Sequence, residues 1–259
     1  MTTSPPQRIL LVDDEKFVRQ LYAEVLTSAG YLVDTAEDGA VGWQKLQGEN
    51  YDLVLTDNHM PKVSGVELIN KLHAAKMTLP VILATATPPV DMAELQLAAL
   101  LEKPFGLEDL LQAVEEALHQ ESQRLAAAKI KNFAKRLLAF ETAMGDPAGA
   151  DGSAARRACK KLRGPLSQLM GSTGFRSLMA RALALANAEV LWLQGLQIME
   201  DGSLDGLDQL EAKLDARTVA EGEAVLVAQL LLLLVTFIGS ALTQQLVREL
   251  WPEMADCNF

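Results

Sequence analysis

Five polar side chains in the first half of the chain each follow a short apolar segment. They are three carboxylates, one hydroxyl and one ammonium group: Asp13, Asp14, Asp57, Thr85 and Lys103. Three carboxylates gathered at one place repel each other and have raised pKa values unless a cation lies among them. Oxygen ligands with room for water suit Mg²⁺, and a hydroxyl and an ammonium group can bind phosphoryl oxygens. One such acid alone is more simply explained as a helix cap, but the five together predict a Mg²⁺ site that accepts a phosphoryl group.

An alternation of strands and helices is predicted to position these residues. Short apolar runs predict strands over residues 8–13, 32–36, 53–56, 80–85 and 100–103. Helical spacing of apolar residues predicts helices over 18–26, 39–46, 66–72, 90–97 and 107–118, and Gly30 is expected to end the first. This pattern is typical of a doubly wound α/β domain with a parallel sheet. Ligands of such sheets bind at the carboxyl ends of the strands, which is where all five polar residues are expected.

Residues 8–119 resemble the receiver domain of bacterial two-component response regulators. The resemblance is carried by the segments 9–14 (ILLVDD), 57–65 (DNHMPKVSG), 80–86 (PVILATA) and 103–105 (KPF). It implies a five-stranded parallel sheet in the order 2-1-3-4-5. It also implies that Asp57 accepts a phosphoryl group from a histidine kinase or a phosphotransfer protein.

The resemblance further implies a role for each neighbouring residue. Asp14, Asp57 and the backbone carbonyl of His59 would bind Mg²⁺ directly, and Asp13 would bind it through water. Thr85 would contact a phosphoryl oxygen and Lys103 would pair with the phosphoryl group, with a cis peptide bond between Lys103 and Pro104. The imidazole of His59 would face solvent.

Two features depart from the family pattern. The position three residues before Lys103 usually holds an aromatic residue that reports phosphorylation, and here it is Leu100. The segment from Thr85 to Lys103 is also about one helical turn short, ~4 residues, and it opens with Pro88 and Pro89. The phosphoryl chemistry is therefore expected to be intact, whereas the usual readout is not.

The second half of the chain differs in charge and pattern, and it resembles no family. Residues 1–119 hold 8 basic and 18 acidic residues, whereas residues 124–163 hold 10 basic and 3 acidic ones. Apolar residues without Gly or Pro predict one helix from residue 107 to about 144, followed by a loop over 145–152. We therefore expect a receiver domain over 1–120, a linker helix and loop over 121–152, and an all-helical domain over 153–259.

Two segments of this helical domain leave alternatives open. A predicted helix over 153–163, ended by Gly164 and Pro165, has one basic face that could bind DNA or RNA, dock on the acidic receiver domain or simply be solvated. That face carries Arg156, Arg157, Lys160, Lys161 and Arg163. Residues 224–247 contain no charged side chain and follow a predicted capping box at 218–221, so they form either the core helix of a bundle or dimer or a membrane anchor.

Composition favours a globular cytoplasmic protein that acts through protein partners. The chain has 259 residues, 49% hydrophobic residues, 5% aromatic residues and a net charge of −11, which disfavours base stacking and general nucleic-acid affinity. Two cysteines fit a reducing compartment, and the first residues contain no apolar leader. No catalytic motif is recognised after residue 120. We therefore expect a non-enzymatic regulator in which a Mg²⁺-dependent phosphoacceptor controls a helical domain that binds an unidentified protein or forms a homodimer.

Overall fold

The computed structural model describes residues 5–89, 92–145, 152–207, 210 and 213–254. The chain divides into two compact units, Met1–Gln123 and Arg124–Phe259. Each unit is described by itself below.

The first unit is built on a five-stranded parallel sheet, as predicted. Its strands are β1 (Arg8–Val12), β2 (Leu32–Ala36), β3 (Leu53–Asp57), β4 (Val81–Thr85) and β5 (Ala99–Glu102). Their order in the sheet is β2-β1-β3-β4-β5, and every neighbouring pair is parallel. The doubly wound fold class and the strand order are therefore confirmed.

Helices cover both faces of this sheet because the central strands are apolar on both sides. The helices are α1 (Lys16–Ser28), α2 (Gly39–Gly48), α3 (Gly65–Ala74) and the first part of α4 (Leu107–Met144). In β1, Ile9 and Leu11 belong to one core cluster, whereas Leu10 and Val12 belong to the other. This is the two-residue alternation of a strand that is buried on both faces. Gly30, with φ +97°, follows α1 as predicted.

The predicted fourth helix over residues 90–97 is wrong. Residues 90 and 91 lie outside the described residues, and Met92–Leu95 form one turn of 3₁₀-helix. Pro88 and Pro89 restrict the backbone before this turn and lack N–H donors. Gln96 then has φ +47°, which takes the chain out of helical geometry before β5 begins at Ala99. The short segment therefore holds a single turn where a full α-helix was expected.

The second unit is mostly helical and has one apolar core. It contains α4 from Arg124 onward, α5 (Ala154–Glu189), a 3₁₀-helix (Leu191–Gly195), a hairpin of β6 (Gln197–Ile198) and β7 (Leu204–Asp205), α6 (Ala216–Ile238) and α7 (Ser240–Leu250). The predicted helix over 107–144 is confirmed by α4. Its residues Ile130, Phe133 and Leu137 are buried in the core of this unit, so part of the predicted linker segment 121–152 supplies core residues.

The predicted break at Gly164 and Pro165 is wrong, because α5 continues through both residues. A residue before proline resists helical geometry partly through its Cβ, which Gly164 lacks, and the fixed φ of proline is itself helical. The helix instead breaks at Gly171, which has φ 76° and ψ 165°. This backbone region is essentially restricted to glycine.

Two expectations for the apolar segment 224–247 also need correction. The N-cap of α6 is Asp215, which accepts hydrogen bonds from the N–H groups of Arg217 and Thr218, so Thr218 lies inside the helix and does not cap it. The uncharged segment is also not one helix, because Gly239 has φ 84° and ψ 159° and separates α6 from α7.

A buried carboxylate ties three parts of the second unit together. Glu141 of α4 is 2% exposed, and its Oε1 accepts hydrogen bonds from Lys161 Nζ and Trp251 Nε1, each at 2.5 Å. Arg157 Nη2 donates to the Glu141 main-chain oxygen at 2.7 Å, and Arg157 Nε lies 3.6 Å from Glu141 Oε2. Trp251 is fully buried. Glu141 therefore joins α4, α5 and the segment after α7 within the core.

We predict that Glu141→Ala lowers the free energy of unfolding of the second unit by about 1–3 kcal/mol, because it leaves the buried Trp251 indole N–H and the partly buried Arg157 without their carboxylate partner. Urea unfolding followed by circular dichroism measures the change. Glu189→Ala is the matched control, because the Glu189 ion pair with Lys131 is exposed and worth less than about 1 kcal/mol. Equal losses in the two variants would contradict a central role for Glu141.

Candidate functional site

Four of the predicted site residues meet at the carboxyl edge of the sheet. Asp13 follows β1, Asp57 ends β3, Thr85 ends β4 and Lys103 follows β5. These strands are neighbours in the sheet, with Val12 beside Thr56 and Asp57 beside Ala84. The parallel register therefore brings together side chains that are up to 90 residues apart in sequence.

The ammonium group of Lys103 bridges the two buried carboxylates. Its Nζ lies 2.9 Å from Asp57 Oδ1 and 3.1 Å from Asp13 Oδ2. Asp13 is 2% exposed and Asp57 is 7% exposed, so the carboxylates of the bridge are shielded from bulk solvent, whereas the Lys103 side chain is partly exposed. The sequence predicted that these carboxylates need a cation among them, and the Lys103 ammonium group supplies a positive charge at that place.

Backbone N–H groups orient the other oxygens of these carboxylates. The N–H of His59 donates to Asp57 Oδ2 at 2.8 Å, and the N–H of Glu15 donates to Asp13 Oδ1 at 2.9 Å. The loop after Asp57 folds back closely, because a Cβ at Gly65 would lie 2.3 Å from the Asp57 carbonyl oxygen. Glycine at position 65 therefore allows the loop to hold the Asp57 backbone.

Burial and charge act on these groups in opposite directions. Burial raises the pKa of Asp13 above its ordinary value, and the neighbouring Lys103 only partly offsets this. Burial alone would lower the pKa of Lys103, but its bonds to Asp57 and Asp13 raise that pKa above its ordinary value. The lysine is therefore held in its charged form beside a carboxylate that is costly to ionise.

Thr85 and His59 lie at the side of this bridge. The Thr85 hydroxyl is buried and exchanges hydrogen bonds with the Thr87 main chain at 3.1 and 3.2 Å. It lies 3.5 Å from His59 Nδ1, and His59 is exposed, as expected. The peptide bond between Lys103 and Pro104 is cis, as expected. Leu100 is partly buried against the core of the first unit.

The predicted metal ligands are only partly gathered. Asp14 is exposed, and no three His, Cys, Asp or Glu side chains are close enough to hold a metal ion in the part of the chain that the structure describes. Asp13 and Asp57 lie close together because both bind Lys103 Nζ. With the nearby His59 carbonyl they offer only oxygen donors, which Mg²⁺ prefers, and Mg²⁺ usually keeps several waters. The donor set therefore fits this ion.

Two contacts that support the site were not predicted from the sequence. Arg19 Nη1 donates to the Asp13 main-chain oxygen at 2.5 Å. Lys62, in the loop after Asp57, lies 2.6 Å from the buried Asp38 carboxylate, and this contact lowers the pKa of Asp38 below its ordinary value. Asp38 accepts a hydrogen bond from the Val41 N–H at 2.9 Å. It follows β2, and this position after the end of a strand could have identified it as a candidate site residue from the sequence.

Comparisons with known proteins agree with this geometry. Residues 9–115 match the family model described as the response regulator receiver domain. The chain is 38% identical over 119 residues to the transcriptional regulatory protein GlrR of Escherichia coli K12, covering 44% of this chain and 27% of GlrR. It is 32% identical over 160 residues to the transcriptional regulatory protein PdtaR of Mycobacterium tuberculosis, covering 55% of this chain and 78% of PdtaR.

The chain belongs to the response regulators. The receiver of TrrA from Thermotoga maritima, solved with Mg²⁺ and BeF, is 35% identical, with a TM-score of 0.41 over 43% of this chain and 98% of TrrA. This response regulator spans about a quarter of GlrR and 56% of the SilR protein of Salmonella typhimurium. No family model matches its C-terminal half. Receiver domains are phosphorylated by histidine kinases or phosphotransfer proteins, and response regulators are generally signal transducers without enzymatic activity.

The basic helix of the regulator is largely occupied by its own acids. Arg157 and Lys161 bind Glu141, and Arg163 Nη1 lies 2.6 Å from Asp201 Oδ2. The opposite face is buried and includes Cys159, whose pKa burial raises to about 12. Three of the five basic residues thus have intramolecular carboxylate partners, which does not favour binding to nucleic acid.

The apolar helix of the second unit is a core helix. Ala216–Ile238 is long and apolar enough to cross a membrane by length and composition, and 61% of its most apolar window is buried inside the protein. Residues 222–228 are all buried in the core of the unit. This burial agrees with the core-helix alternative and gives no support to a membrane anchor.

We predict that Asp13→Asn raises the melting temperature of the receiver unit by a few degrees at neutral pH without divalent cations. The physical reason is that burial makes the ionised Asp13 costly, as its raised pKa indicates. The gain should shrink as the pH falls through the folded-state pKa and vanish below the unfolded value of about 3.9. Calorimetry over this pH range tests it. Asp14→Asn, at an exposed carboxylate, should change little, and a destabilised Asp13→Asn variant would refute the argument.

Proposed function

We propose that this response regulator is a switch that is controlled by phosphorylation of Asp57. The observation that carries the proposal is the contact of Lys103 Nζ with the buried Asp57 carboxylate, 2.9 Å away at the carboxyl edge of the sheet. A carboxylate in this position has an ammonium group ready to bind the oxygens of an incoming phosphoryl group. Thr85, at the end of the neighbouring strand β4, is proposed to bind another of these oxygens.

The reaction is a transfer between two side chains. One carboxylate oxygen of Asp57 forms a bond to phosphorus, and the phosphorus–nitrogen bond of a phosphohistidine on the partner protein breaks. The electron pair of that bond stays on the imidazole, which leaves after taking up a proton. Lys103 then balances charge that moves from the Asp57 carboxylate to the phosphoryl oxygens, and the His59 N–H holds the carboxylate in place.

We propose that four groups hold Mg²⁺: the carboxylates of Asp13, Asp14 and Asp57 and the main-chain carbonyl of His59. Such an ion, when bound, would offset the negative charge of the carboxylates and the phosphoryl group. Burial makes Asp13 costly to ionise in the isolated protein, and a bound cation would lower that cost. The free thiol of Cys159 is compatible with the cytoplasm, where we place the protein.

We predict that Asp57→Asn abolishes phosphorylation by acetyl phosphate in the presence of Mg²⁺, because the amide is not a nucleophile. Intact-protein mass spectrometry measures the added phosphoryl group. Asp52→Asn is the control, because Asp52 precedes β3 at the opposite edge of the sheet, and it should be phosphorylated as in the wild type. Phosphorylation that persists in Asp57→Asn would place the acceptor elsewhere.

The second unit is proposed to act by binding a protein, either an unidentified target or a second copy, and not by catalysis. Large apolar side chains are exposed on it, including Leu169 at 62%, Phe237 at 67% and Leu242 at 56%. Exposed apolar groups that lie together are typical of interaction surfaces. No histidine occurs after His119, so this unit cannot itself receive a phosphoryl group on histidine.

Helix α4 is proposed to carry the signal. Its residues Leu110 and Val114 are buried in the first unit, and its residues Ile130 and Phe133 are buried in the second. The predicted end of the receiver domain near residue 120 therefore falls within a helix that supplies core residues to both units. A change in the packing of the first part of α4 would bear directly on the core of the second unit.

We predict that beryllofluoride with Mg²⁺ changes hydrogen exchange in the second unit as well as around Asp57. The ligand mimics the phosphoryl group, and the shared helix α4 provides the physical connection. Asp57→Asn should show neither change. Light scattering on the same samples distinguishes a second copy, which doubles the mass, from a different protein target, which leaves it unchanged. Exchange differences confined to residues 5–123 would contradict control of the second unit.

A further inference from the structure

The second unit contains an apolar groove that the phosphorylation chemistry does not use. Its volume is about 460 Å³, within the range of about 300–1,000 Å³ that is usual for ligand sites. Residues on both sides of Gly171 in α5 and the last residues of α6 line it. No acceptor, Mg²⁺ ligand or buried ion pair described above belongs to this groove.

Two glycines interrupt the helices beside the groove. Gly171 follows the lining residues Leu169 and Met170, and Gly239 follows the lining residues Phe237 and Ile238. Both have positive φ with ψ near 160°, which is a conformation essentially restricted to glycine. A Cβ at either position would have open space, so the backbone angle and not crowding requires glycine. The backbone therefore leaves helical geometry beside the groove at two places, Gly171 within α5 and Gly239 after α6.

The groove has an apolar floor and apolar edges. Leu178 is buried, Met170 and Ile238 are partly buried, and Leu169 and Phe237 are 62% and 67% exposed. An apolar group lying in the groove would remove these edges from water. Such burial contributes roughly 25 cal/mol per Å² of apolar surface.

The charge beside the groove is positive. Arg181 and Ser177 line it from α5 and are four residues apart, which places them on the same side of the helix. Arg181 is exposed and has no hydrogen bond or ion pair with any residue that the structure describes. Residues 164–188 and 224–247, which include the whole lining, contain no acidic residue. The groove thus joins an apolar surface to a guanidinium group and a hydroxyl.

This combination of groups selects the occupant. A second copy meeting the same surface around a twofold axis would bring positive charge against positive charge, with no acid to offset it. A single acyl chain with an anionic head fits both parts, because its methylene groups match the apolar floor and its head group matches Arg181 and Ser177. Arginine binds carboxylates through two parallel hydrogen bonds.

We propose that this groove binds a free fatty-acid-like carboxylate, with the acyl chain between α5 and the end of α6 and the carboxylate on Arg181. The site goes beyond the phosphorylation function and does not depend on it. A regulator built in this way would respond to an amphiphilic anion through its second unit.

The test is calorimetric titration of the full chain with dodecanoate below its micelle concentration. One saturable site per chain is expected. Decanoate should bind roughly tenfold more weakly, because it lacks two methylene groups, and dodecan-1-ol should also bind more weakly because it lacks the charge. Arg181→Gln should weaken dodecanoate binding at least about tenfold and leave dodecan-1-ol unchanged. Arg176→Gln, at an exposed arginine outside the lining, should change nothing.

A second variant separates loss of the site from loss of the fold. Ser177 is exposed, so Ser177→Phe should fill the groove, abolish binding of both the acid and the alcohol, and leave urea unfolding nearly unchanged. The proposal is overturned if dodecanoate shows no saturable binding or if Arg181→Gln binds it as well as the wild type. It is equally overturned if dodecyltrimethylammonium binds as tightly as dodecanoate, or if the chain binds phosphatidylglycerol vesicles but not the monomeric acid.

Discussion

The bridge from Lys103 to Asp13 and Asp57 is the interaction around which the receiver unit is organised. Two carboxylates that are less than a tenth exposed would repel each other without a cation between them. The ammonium group supplies that charge from the end of β5, across the ends of β4, β3 and β1. Every strand order that separates these ends would leave a buried charge unpaired. The phosphoacceptor chemistry proposed for Asp57 uses the same ammonium group that pairs with the two carboxylates in the folded receiver unit.

The second unit also contains a buried carboxylate with cationic partners. Glu141 is as well buried as Asp13, but its partners Lys161, Arg157 and Trp251 come from one helix and the segment after α7. This network gives one carboxylate oxygen two hydrogen bonds and the other an ion contact at 3.6 Å, and it joins elements of the core. The receiver carboxylates, in contrast, share one ammonium group, which is also the group proposed to bind the oxygens of a phosphoryl group on Asp57. Titratable groups in such buried clusters are found at functional sites as well as in structural networks.

The fold decides which charged and apolar groups of the second unit stay exposed. Three of the five basic residues that could have bound nucleic acid form ion pairs with Glu141 or Asp201. The apolar helix that could have crossed a membrane is buried among α4, α5 and α7 residues. The groove beside Gly171 and Gly239 keeps exposed apolar side chains and an arginine without a partner among the described residues. The groove therefore presents an apolar surface and a positive charge, in a chain whose net charge is −11.

The sequence was enough to predict the alternation of strands and helices in the receiver unit and the helix over 107–144, because apolar runs and helical spacing depend on neighbours along the chain. The strand order was implied only by the resemblance of residues 8–119 to receiver domains. The sequence also identified the strand-end residues that meet around Asp57. It did not predict the 3₁₀ turn at Met92–Leu95, the continuation of α5 through Pro165 or the break at Gly239. Nor did it predict the partners of Glu141 or the groove beside Arg181. These features were decided by tertiary structure, because whether a proline is tolerated, a glycine takes a positive φ or a charge finds a partner depends on residues that are distant in sequence.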